Sequence, residues 1–252
     1  MISSFVYKPF DLSRLSRFVK SAPGHKDYRV YMRDGSSRDL ISPWHHIPLD
    51  VRYQTGAVIL PFVCEIPRKC TAKMEVTLRE KFNPISQDMK DGQLRYMPIE
   101  PKFNYGMLPM AYEDPGSNCP ISGVVGDGDP LDVVDISIRN SDSIMTGTVV
   151  PVRLLGSFCF IDNGEADWKL IVTRDDSERI NTHTLDEMFA FFENYKPGSG
   201  SYIFEDRRVF DISETLELIN HARNSYENLI NETRLVQSDA SPDIWIPGTP
   251  RV

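Results

Sequence analysis

Hydrophobic and polar positions along this chain first follow the two-residue period of β-strands. Residues 57–63 are almost all apolar, and residues 73–78 alternate, which places Lys73 and Glu75 on one face of an extended strand. Three further runs rich in Val, Ile, Leu and Phe are residues 144–152, 152–161 and 168–172. The pattern predicts a central β region whose strands project charged side chains.

Turn-forming residues lie on both sides of this region. Residues 28–33 resemble a strand and precede Asp34-Gly35, which suits the positive φ angles of a tight hairpin turn. Residues 238–252 contain three prolines and a glycine, so they are predicted to form a tail pinned by Trp245.

The period changes in the last third of the chain. Thr184 and Glu187 have capping-box spacing, and a second helix is predicted from about residue 211 to residue 230. The apolar stripes of the two predicted helices are Leu185, Met188, Phe189 and Phe192, then Leu216, Ile219, Tyr226 and Ile230. Both helices are expected to cover the sheet.

Composition and charge narrow the class of protein. With 252 residues, 40% hydrophobic and 25% charged, the chain is ordinary for a globular protein. Its net charge of −8 disfavours nucleic-acid and anionic-membrane partners, and neither is predicted. The four cysteines form no C-x-x-C pair, and apolar runs fall short of the ~20 residues that span a bilayer. We therefore expect a soluble intracellular protein with free thiols.

The strongest chemical signal is an acidic turn at residues 126–135. It places Asp127, Asp129 and Asp132 within six residues, beside Gly and Pro. Two unit charges 4 Å apart repel by about 1 kcal/mol in water and about 4 kcal/mol at an effective dielectric near 20. Such crowding calls for bound cations, and oxygen-only ligands favour Mg²⁺, Mn²⁺ or Ca²⁺ over zinc.

Competing motifs fail on inspection. An EF-hand beginning at Asp127 would need Gly at its sixth position and Glu at its twelfth, but these are Asp132 and Ile138. The chain also lacks a nucleotide phosphate loop, a dinucleotide fingerprint and the G-x-S-x-G and H-E-x-x-H motifs.

Further polar segments stand at the ends of predicted strands and helices. With the acidic turn, the segments are Glu65-Ile66-Pro67-Arg68, Ala72-Lys73-Met74-Glu75, Asn104-Tyr105-Gly106, Tyr112-Glu113-Asp114-Pro115, Gly126-Asp127-Gly128-Asp129-Pro130-Leu131-Asp132, Gly164-Glu165 and Asp167-Trp168-Lys169. Taken together, they resemble the family I soluble inorganic pyrophosphatases of the eukaryotic type, and the resemblance runs from about residue 28 to residue 230.

The resemblance implies a mainly β fold, a five-stranded OB-like β-barrel flanked by α-helices, with N- and C-terminal extensions. The expected partition is an extension over residues 1–26, a catalytic domain over 27–235 and a tail over 236–252. The implied activity is Mg²⁺-dependent hydrolysis of pyrophosphate to two orthophosphates by a metal-activated water. Two alternatives stay open: hydrolysis of tripolyphosphate or nucleotides with other divalent metals, and a catalytically dead metal-binding scaffold.

The same resemblance implies a role for each residue that matches a functional position of the family. Metal ligands would be Asp127, Asp132, Asp162 and Asp167, with Glu75 near the metals directly or through water and Glu65 in the outer part of the site. Phosphate would be bound, and catalysis assisted, by Lys73, Arg95, Tyr105, Lys169, Tyr195 and Lys196, and Asp129 would be the general base. Departures from the family pattern are Met110 for Gln, Gly128 for Asn, Ala166 for Thr and a shortened segment after Lys196.

The resemblance also implies cofactors, partners and a compartment. Several Mg²⁺ ions per site are expected, with Mn²⁺, Co²⁺ or Zn²⁺ as substitutes. Ca²⁺ should inhibit, because it is larger and more flexibly coordinated. The expected partners are pyrophosphate, phosphate and further copies of the chain, in a dimer or higher oligomer. The cytoplasm is the expected location, with a phosphate-storing acidic organelle or the mitochondrion as the alternative.

Overall fold

The computed structural model describes residues 10–137, 144–195, 200–235 and 244–248. A short 3₁₀ turn at Leu12–Arg14 precedes the first strand. The strands are β1 (Leu15–Lys20), β2 (Arg29–Asp34), β3 (Leu40–Ile41), β4 (Arg52–Gln54), β5 (Ala57–Ile66), β6 (Met74–Val76), β7 (Ile85–Gln87), β8 (Met89–Lys90), β9 (Gln93–Leu94), β10 (Asn104–Met107), β11 (Asp132–Asp135), β12 (Val149–Asp162), β13 (Glu165–Thr173) and β14 (Tyr202–Ile203). The helices are α1 (Thr182–Tyr195), α2 (Phe204–Arg207), a single turn containing left-handed residues, and α3 (Ile212–Leu235).

Five strands close into a barrel. Around the ring, β5 pairs with β10, β10 with β11, β11 with β13, β13 with β12, and β12 again with β5. All of these pairs are antiparallel except β11 with β13. Closure leaves these strands no edge, which removes a template for pairing with other chains. The predicted mainly β fold with a five-stranded OB-like barrel is confirmed.

Strand β12 corrects one prediction. Residues 144–152 and 152–161 were expected to be two strands, but residues 149–162 form one. Residues 149–153 pair with β5 and residues 153–162 pair with β13, and the pairing with β13 shifts register between Leu154 and Gly156. Glycine is required at 156, because a Cβ there would lie 2.5 Å from the carbonyl oxygen of Phe210. One continuous strand with an irregular register therefore replaces the two predicted strands.

A second sheet, in the order β1-β2-β7-β6 with β3 on β2, lies beside the barrel. The predicted hairpin after Asp34 exists, since Met32 pairs with Ile41, but the tight Asp34-Gly35 turn is wrong. The connection spans residues 35–39, and its left-handed residue is Arg38, with φ 63°. Gly35 is needed for another reason, because its N–H donates to the Arg14 carbonyl at 2.7 Å and a Cβ would clash there.

The helices begin where side chains cap them. The predicted Thr184 cap is wrong, because the Asn181 side chain accepts from the Thr184 N–H at 3.0 Å and α1 begins at residue 182. A reciprocal capping box instead opens α3, where the Glu214 N–H donates to Asp211 and the Asp211 N–H donates to Glu214. No helix in the described parts of the chain is long and apolar enough to cross a bilayer.

Alternate residues of the barrel strands belong to two hydrophobic clusters. Phe158 and Phe160 pack with the Phe stripe of α1, whereas Cys159 and Ile161 share a cluster with buried residues of α3. Because strand side chains alternate, the residues just before Ile171 on β13 divide in the same way. Asp167 and Lys169 therefore lie on the α1 side of the barrel, where the candidate site forms.

Candidate active site

One cavity of about 180 Å³ collects most of the predicted site residues. Those that line it are Glu65, Lys73, Glu75, Tyr105, Asp127, Asp129, Asp132, Asp162, Asp167, Lys169 and Tyr195. Apolar residues complete its wall, among them Met97, Phe103, Phe191 and Phe192. Arg95 does not line the cavity, and Lys196 falls outside the described residues. Segments far apart along the chain therefore contribute to one cavity.

The parallel pairing of β11 with β13 builds the centre of the site. Asp132 lies opposite Lys169, and Asp167 projects from the same face two residues earlier. The Lys169 ammonium, whose residue is 1% exposed, lies 2.5 Å from an Asp132 oxygen and also contacts Asp167. On the neighbouring strand β10, the Tyr105 hydroxyl donates to the same Asp132 oxygen. One buried cation is thus shared by two carboxylates.

The acidic turn leaves the sheet after Gly126 and returns at Asp132. Gly126 pairs with Ala166 across an isolated bridge, and Asp132 resumes the pairing with β13. Between them, the Asp129 N–H donates to the Asp127 carboxylate at 3.0 Å. Gly128 has φ 86°, a left-handed angle that both Gly and the family's usual Asn adopt readily. This departure from the family pattern therefore leaves the turn intact.

Carboxylates outnumber cations in this cluster, and their pKa values reflect it. Burial first, then the charges of Asp167 and Asp129, raise the pKa of Asp127 to about 9. Burial raises the pKa of Asp167 to about 6, where the lowering effect of Lys169 opposes that of Asp132. Asp129 keeps contact with solvent, yet the surrounding protein and Glu75 raise its pKa to about 6. The site therefore favours protons or other cations.

A second charged group forms at the hairpin of β6 and β7. The Lys73 ammonium lies 2.6 Å from Glu75 and 3.0 Å from Asp88, which confirms that residues 73 and 75 share a face. Arg95 pairs with the same Asp88 oxygen, so it joins the site through that carboxylate. Asp88 was missed in the sequence because its place opposite Lys73 depends on the register of β6 against β7, in which Met74 faces Gln87.

The remaining predicted residues lie around these two groups. Glu65 is 5% exposed and accepts from the Val76 N–H at 2.6 Å; burial first, then Asp132, raises its pKa well above the usual range. Asp162 accepts from the Ser201 hydroxyl at 2.6 Å, a second contact that the sequence did not predict. Tyr195, near the end of α1, stacks on Phe191 with ring centroids 5.8 Å apart.

Glu113 is a third residue that sequence reasoning missed as a contributor. It lies in segment 112–115, which carries part of the family resemblance but predicts no role for this residue. Its side chain is buried and accepts from the Trp168 N–H at 3.0 Å, between Asp167 and Lys169. Burial first, then Asp127, raises the pKa of Glu113 well above its usual range.

The donor set fits a divalent cation with oxygen ligands. The half-buried carboxylates of Asp127 and Asp167, whose pKa values are raised, gain from any added positive charge, and Mg²⁺, Mn²⁺ and Ca²⁺ favour such ligands. Within the described residues, no three His, Cys, Asp or Glu side chains are placed to hold one ion together. Instead, Lys169 lies between Asp132 and Asp167, and Lys73 pairs with Glu75.

Comparison with known proteins places this geometry in a family. The inorganic pyrophosphatase model matches residues 62–227. The chain is 38% identical over 190 residues to soluble inorganic pyrophosphatase 6, chloroplastic, of Arabidopsis thaliana, covering 73% of this chain and 59% of that protein. It is 34% identical to soluble inorganic pyrophosphatase 1, chloroplastic, of Chlamydomonas reinhardtii, covering 91% of this chain and 85% of the relative. The chain thus spans less than two thirds of the Arabidopsis protein.

Solved structures agree in fold. The type I inorganic pyrophosphatase of Toxoplasma gondii superposes with a TM-score of 0.76 at 33% identity, covering 85% of this chain and 99% of that one. The apo vacuolar soluble pyrophosphatase of Trypanosoma cruzi superposes with a TM-score of 0.78 at 29% identity, covering 94% of this chain and 68% of that one.

Proposed function

Since this chain belongs to the inorganic pyrophosphatase family, we propose that it is an inorganic diphosphatase that hydrolyses pyrophosphate to two orthophosphates. The observation that carries the proposal is the meeting of two opposite sets of charge in one cavity. Carboxylates from the acidic turn and from β13 face the ammonium groups of Lys73 and Lys169. The ammonium groups can bind an anionic substrate, and the carboxylates can bind divalent metal ions.

The metal-holding residues in this proposal are Asp127, Asp132, Asp162 and Asp167, with Glu75 beside them and Glu65 further out. When bound, divalent ions supply positive charge to phosphate oxygens and lower the pKa of a coordinated water. We propose Mg²⁺ as the natural ion, several per site, with Mn²⁺, Co²⁺ or Zn²⁺ as substitutes. Ca²⁺ should bind the same oxygens and inhibit.

In this proposal, cationic and phenolic side chains position the substrate. Lys73 and Lys169 keep their charge at neutral pH, because neighbouring carboxylates raise their pKa values more than burial lowers them. Their ammonium groups, together with the hydroxyls of Tyr105 and Tyr195, are donors for phosphate oxygens. We include Arg95 and Lys196 in this set, Arg95 through its link to Asp88.

Asp129 is the proposed general base. Its carboxylate is exposed and lines the cavity, where it can reach a water molecule and accept a proton from it. Its N–H bond to Asp127 fixes the turn that carries it. Asp129 would therefore orient the attacking water and take its proton.

A phosphate-release assay tests the proposal. The purified full chain is incubated with pyrophosphate and Mg²⁺, with tripolyphosphate and ATP as competing substrates and EDTA as the metal-removal control. We expect pyrophosphate to be the preferred substrate, release to stop with EDTA, and added Ca²⁺ to lower the rate. Metal binding without phosphate release from pyrophosphate, under Mg²⁺, Mn²⁺, Co²⁺ or Zn²⁺, would instead support a non-catalytic scaffold.

Assembly, compartment and domain limits are proposals of the same kind. We propose a homo-oligomer, testable by light scattering after size-exclusion chromatography, and a cytoplasmic location, testable by subcellular fractionation. We also propose 27–235 as the catalytic domain. Because β1, at residues 15–20, pairs with β2, the test of that limit is whether the fragment 27–235 retains the stability of the full chain.

A further inference from the structure

Glu113 contacts two segments that carry predicted metal ligands, the acidic turn and β13, and it belongs to neither. Its main chain bonds to the acidic turn: the Glu113 N–H donates to the Asp129 carbonyl at 2.9 Å, and the Gly128 N–H donates to the Glu113 carbonyl at 2.9 Å. Its side chain bonds to β13, where one carboxylate oxygen accepts from the Trp168 N–H at 3.0 Å. A single residue therefore joins both segments.

The side-chain bond fills a gap in the sheet. On one side of β13, the Ala166 N–H donates to the Val125 carbonyl at 2.8 Å, and regular pairing with β11 begins only at Lys169. The acidic turn leaves the sheet between these two points, so β11 offers no carbonyl to Trp168. The Glu113 carboxylate accepts that N–H instead, because a buried backbone donor needs a partner.

The fit on the turn side is equally close. The Gly126 N–H donates to the Asp114 carbonyl at 3.0 Å, and a Cβ at 126 would lie 2.3 Å from the Glu113 carbonyl carbon. Glycine at 126 therefore lets the turn begin directly against the Glu113 main chain. This contact and the Trp168 bond hold the residue before Asp127 and the residue after Asp167 against Glu113.

From this arrangement, which rests on the proposed function, we propose that Glu113 is a positioning residue for the metal-binding carboxylates. It acts through the Trp168 N–H on Asp167 and Lys169, and through its main chain on Asp127 and Asp129. Groups that orient metal ligands without touching the metal typically contribute 10- to 100-fold in metal affinity. The relevant property of its side chain is an acceptor oxygen at the right reach, rather than its charge.

Two substitutions separate the effect of the position of the acceptor oxygen from the effect of the side-chain charge. Glu113→Gln keeps an acceptor oxygen at the same distance and removes the charge, whereas Glu113→Asp keeps the charge and withdraws the acceptor by one methylene. Glu113→Ala removes both. Asp135→Asn is the matched control, since Asp135 is another buried carboxylate that accepts from neighbouring donors, outside the cavity lining.

The measurement is Mn²⁺ binding to the metal-free full chain, followed by the electron paramagnetic resonance of unbound Mn²⁺, with Mg²⁺-dependent kcat and KM measured in parallel. We expect Glu113→Asp and Glu113→Ala to weaken Mn²⁺ binding 10- to 100-fold and to raise the Mg²⁺ concentration for half-maximal activity. Glu113→Gln and Asp135→Asn should stay within about threefold of the unmodified protein, about 0.7 kcal/mol or less.

Three results would overturn the inference. One is unchanged Mn²⁺ affinity in a folded Glu113→Asp or Glu113→Ala protein; the second is loss in Glu113→Gln with retention in Glu113→Asp, which would make the charge decisive. The third is an equal loss in Asp135→Asn, which would indicate general loosening. If Glu113→Ala does not fold, the Gln and Asp pair decides. If the variants rank in Mn²⁺ affinity as expected but the unmodified chain releases no phosphate from pyrophosphate, the proposed function fails and this inference stands.

Discussion

Strand β11 begins and ends with an aspartate, and the two carboxylates have opposite surroundings. Asp135 is fully buried and accepts from Asn104 at 2.9 Å, from the Arg174 guanidinium at 2.9 Å and from Ser137, so a cation and two neutral donors offset its charge. Asp132 shares Lys169 with Asp167 and stands near the acids of the turn. Burial alone therefore does not mark a functional acid. An uncompensated excess of acids does.

The strongest test of this contrast is a substitution in the acidic cluster around Asp132 that lowers turnover and keeps the fold. Asp129→Asn keeps the size of the side chain and removes the proton acceptor, so we expect kcat to fall about 10²- to 10⁴-fold at saturating Mg²⁺. Mn²⁺ binding and the melting temperature should stay close to those of the unmodified chain. Asp135→Asn is the control, and its kcat should change by less than about threefold. An unchanged kcat in Asp129→Asn would remove this residue from the mechanism.

A substitution of Asp135, at the other end of β11, should lower stability rather than turnover. Asp135→Ala removes a fully buried carboxylate that accepts from Asn104, Ser137 and Arg174, and losing one partner of a buried ion pair typically costs about 3–5 kcal/mol. For a chain of this size, that lowers the melting temperature by roughly 10 °C. Calorimetry would measure the shift, with Asp129→Asn as the matched variant. A stable Asp135→Ala protein with strongly reduced kcat would contradict the division between the two ends of β11.

Local spacing predicted those parts of the site that depend on one segment. The alternation at residues 73–78 placed Lys73 beside Glu75, and the acidic turn identified Asp127 and Asp129 as neighbours. The closed barrel was expected from the resemblance of several motifs taken together. These features need only residues close in sequence, or a known arrangement of segments.

Features set by register between distant strands were not predictable in this way. Tyr105 reaches Asp132 because β10 pairs with β11, and Asp88 reaches Lys73 because of the pairing of β6 with β7. Glu113 is more remote still, since its partner is a main-chain N–H that carries no sequence signal. The α1 cap was misplaced because Asn181 and Thr184 both suit that position and only one is used.

The excess of acids also predicts how stability depends on pH. The pKa of Asp127 in the folded chain, about 9, lies above the ordinary value of 3.8, so the folded state binds this proton more tightly than the unfolded state. The resulting stabilisation is complete below about pH 4 and is lost as the pH rises toward 9. We therefore expect the metal-free protein to lose stability from pH 5 to pH 9.

Melting temperatures in EDTA across that range would measure the effect. Each pKa unit of difference corresponds to about 1.4 kcal/mol, and each kcal/mol to roughly 2–4 °C at this chain length. Added Mg²⁺ should flatten the decline, and Asp127→Asn should reduce it in EDTA, whereas Asp135→Asn should preserve it. A melting temperature that stays constant or rises from pH 5 to pH 9 without metal would contradict the assigned excess of charge.

The smallest expected effect lies at the edge of the cluster, where Asp88 holds Lys73 at 3.0 Å and also pairs with Arg95. Asp88→Asn keeps one acceptor oxygen but removes the charge that orients both cations, so we expect KM for pyrophosphate to rise about three- to tenfold. That is about 0.7–1.4 kcal/mol, within the contribution of one charge-assisted hydrogen bond. Glu80→Gln is the matched control, because Glu80 pairs with Arg29 outside the cavity lining. Equal KM changes in both variants would mean that Asp88 contributes only general surface charge, whereas a change confined to Asp88→Asn would extend the functional cluster beyond the residues that line the cavity.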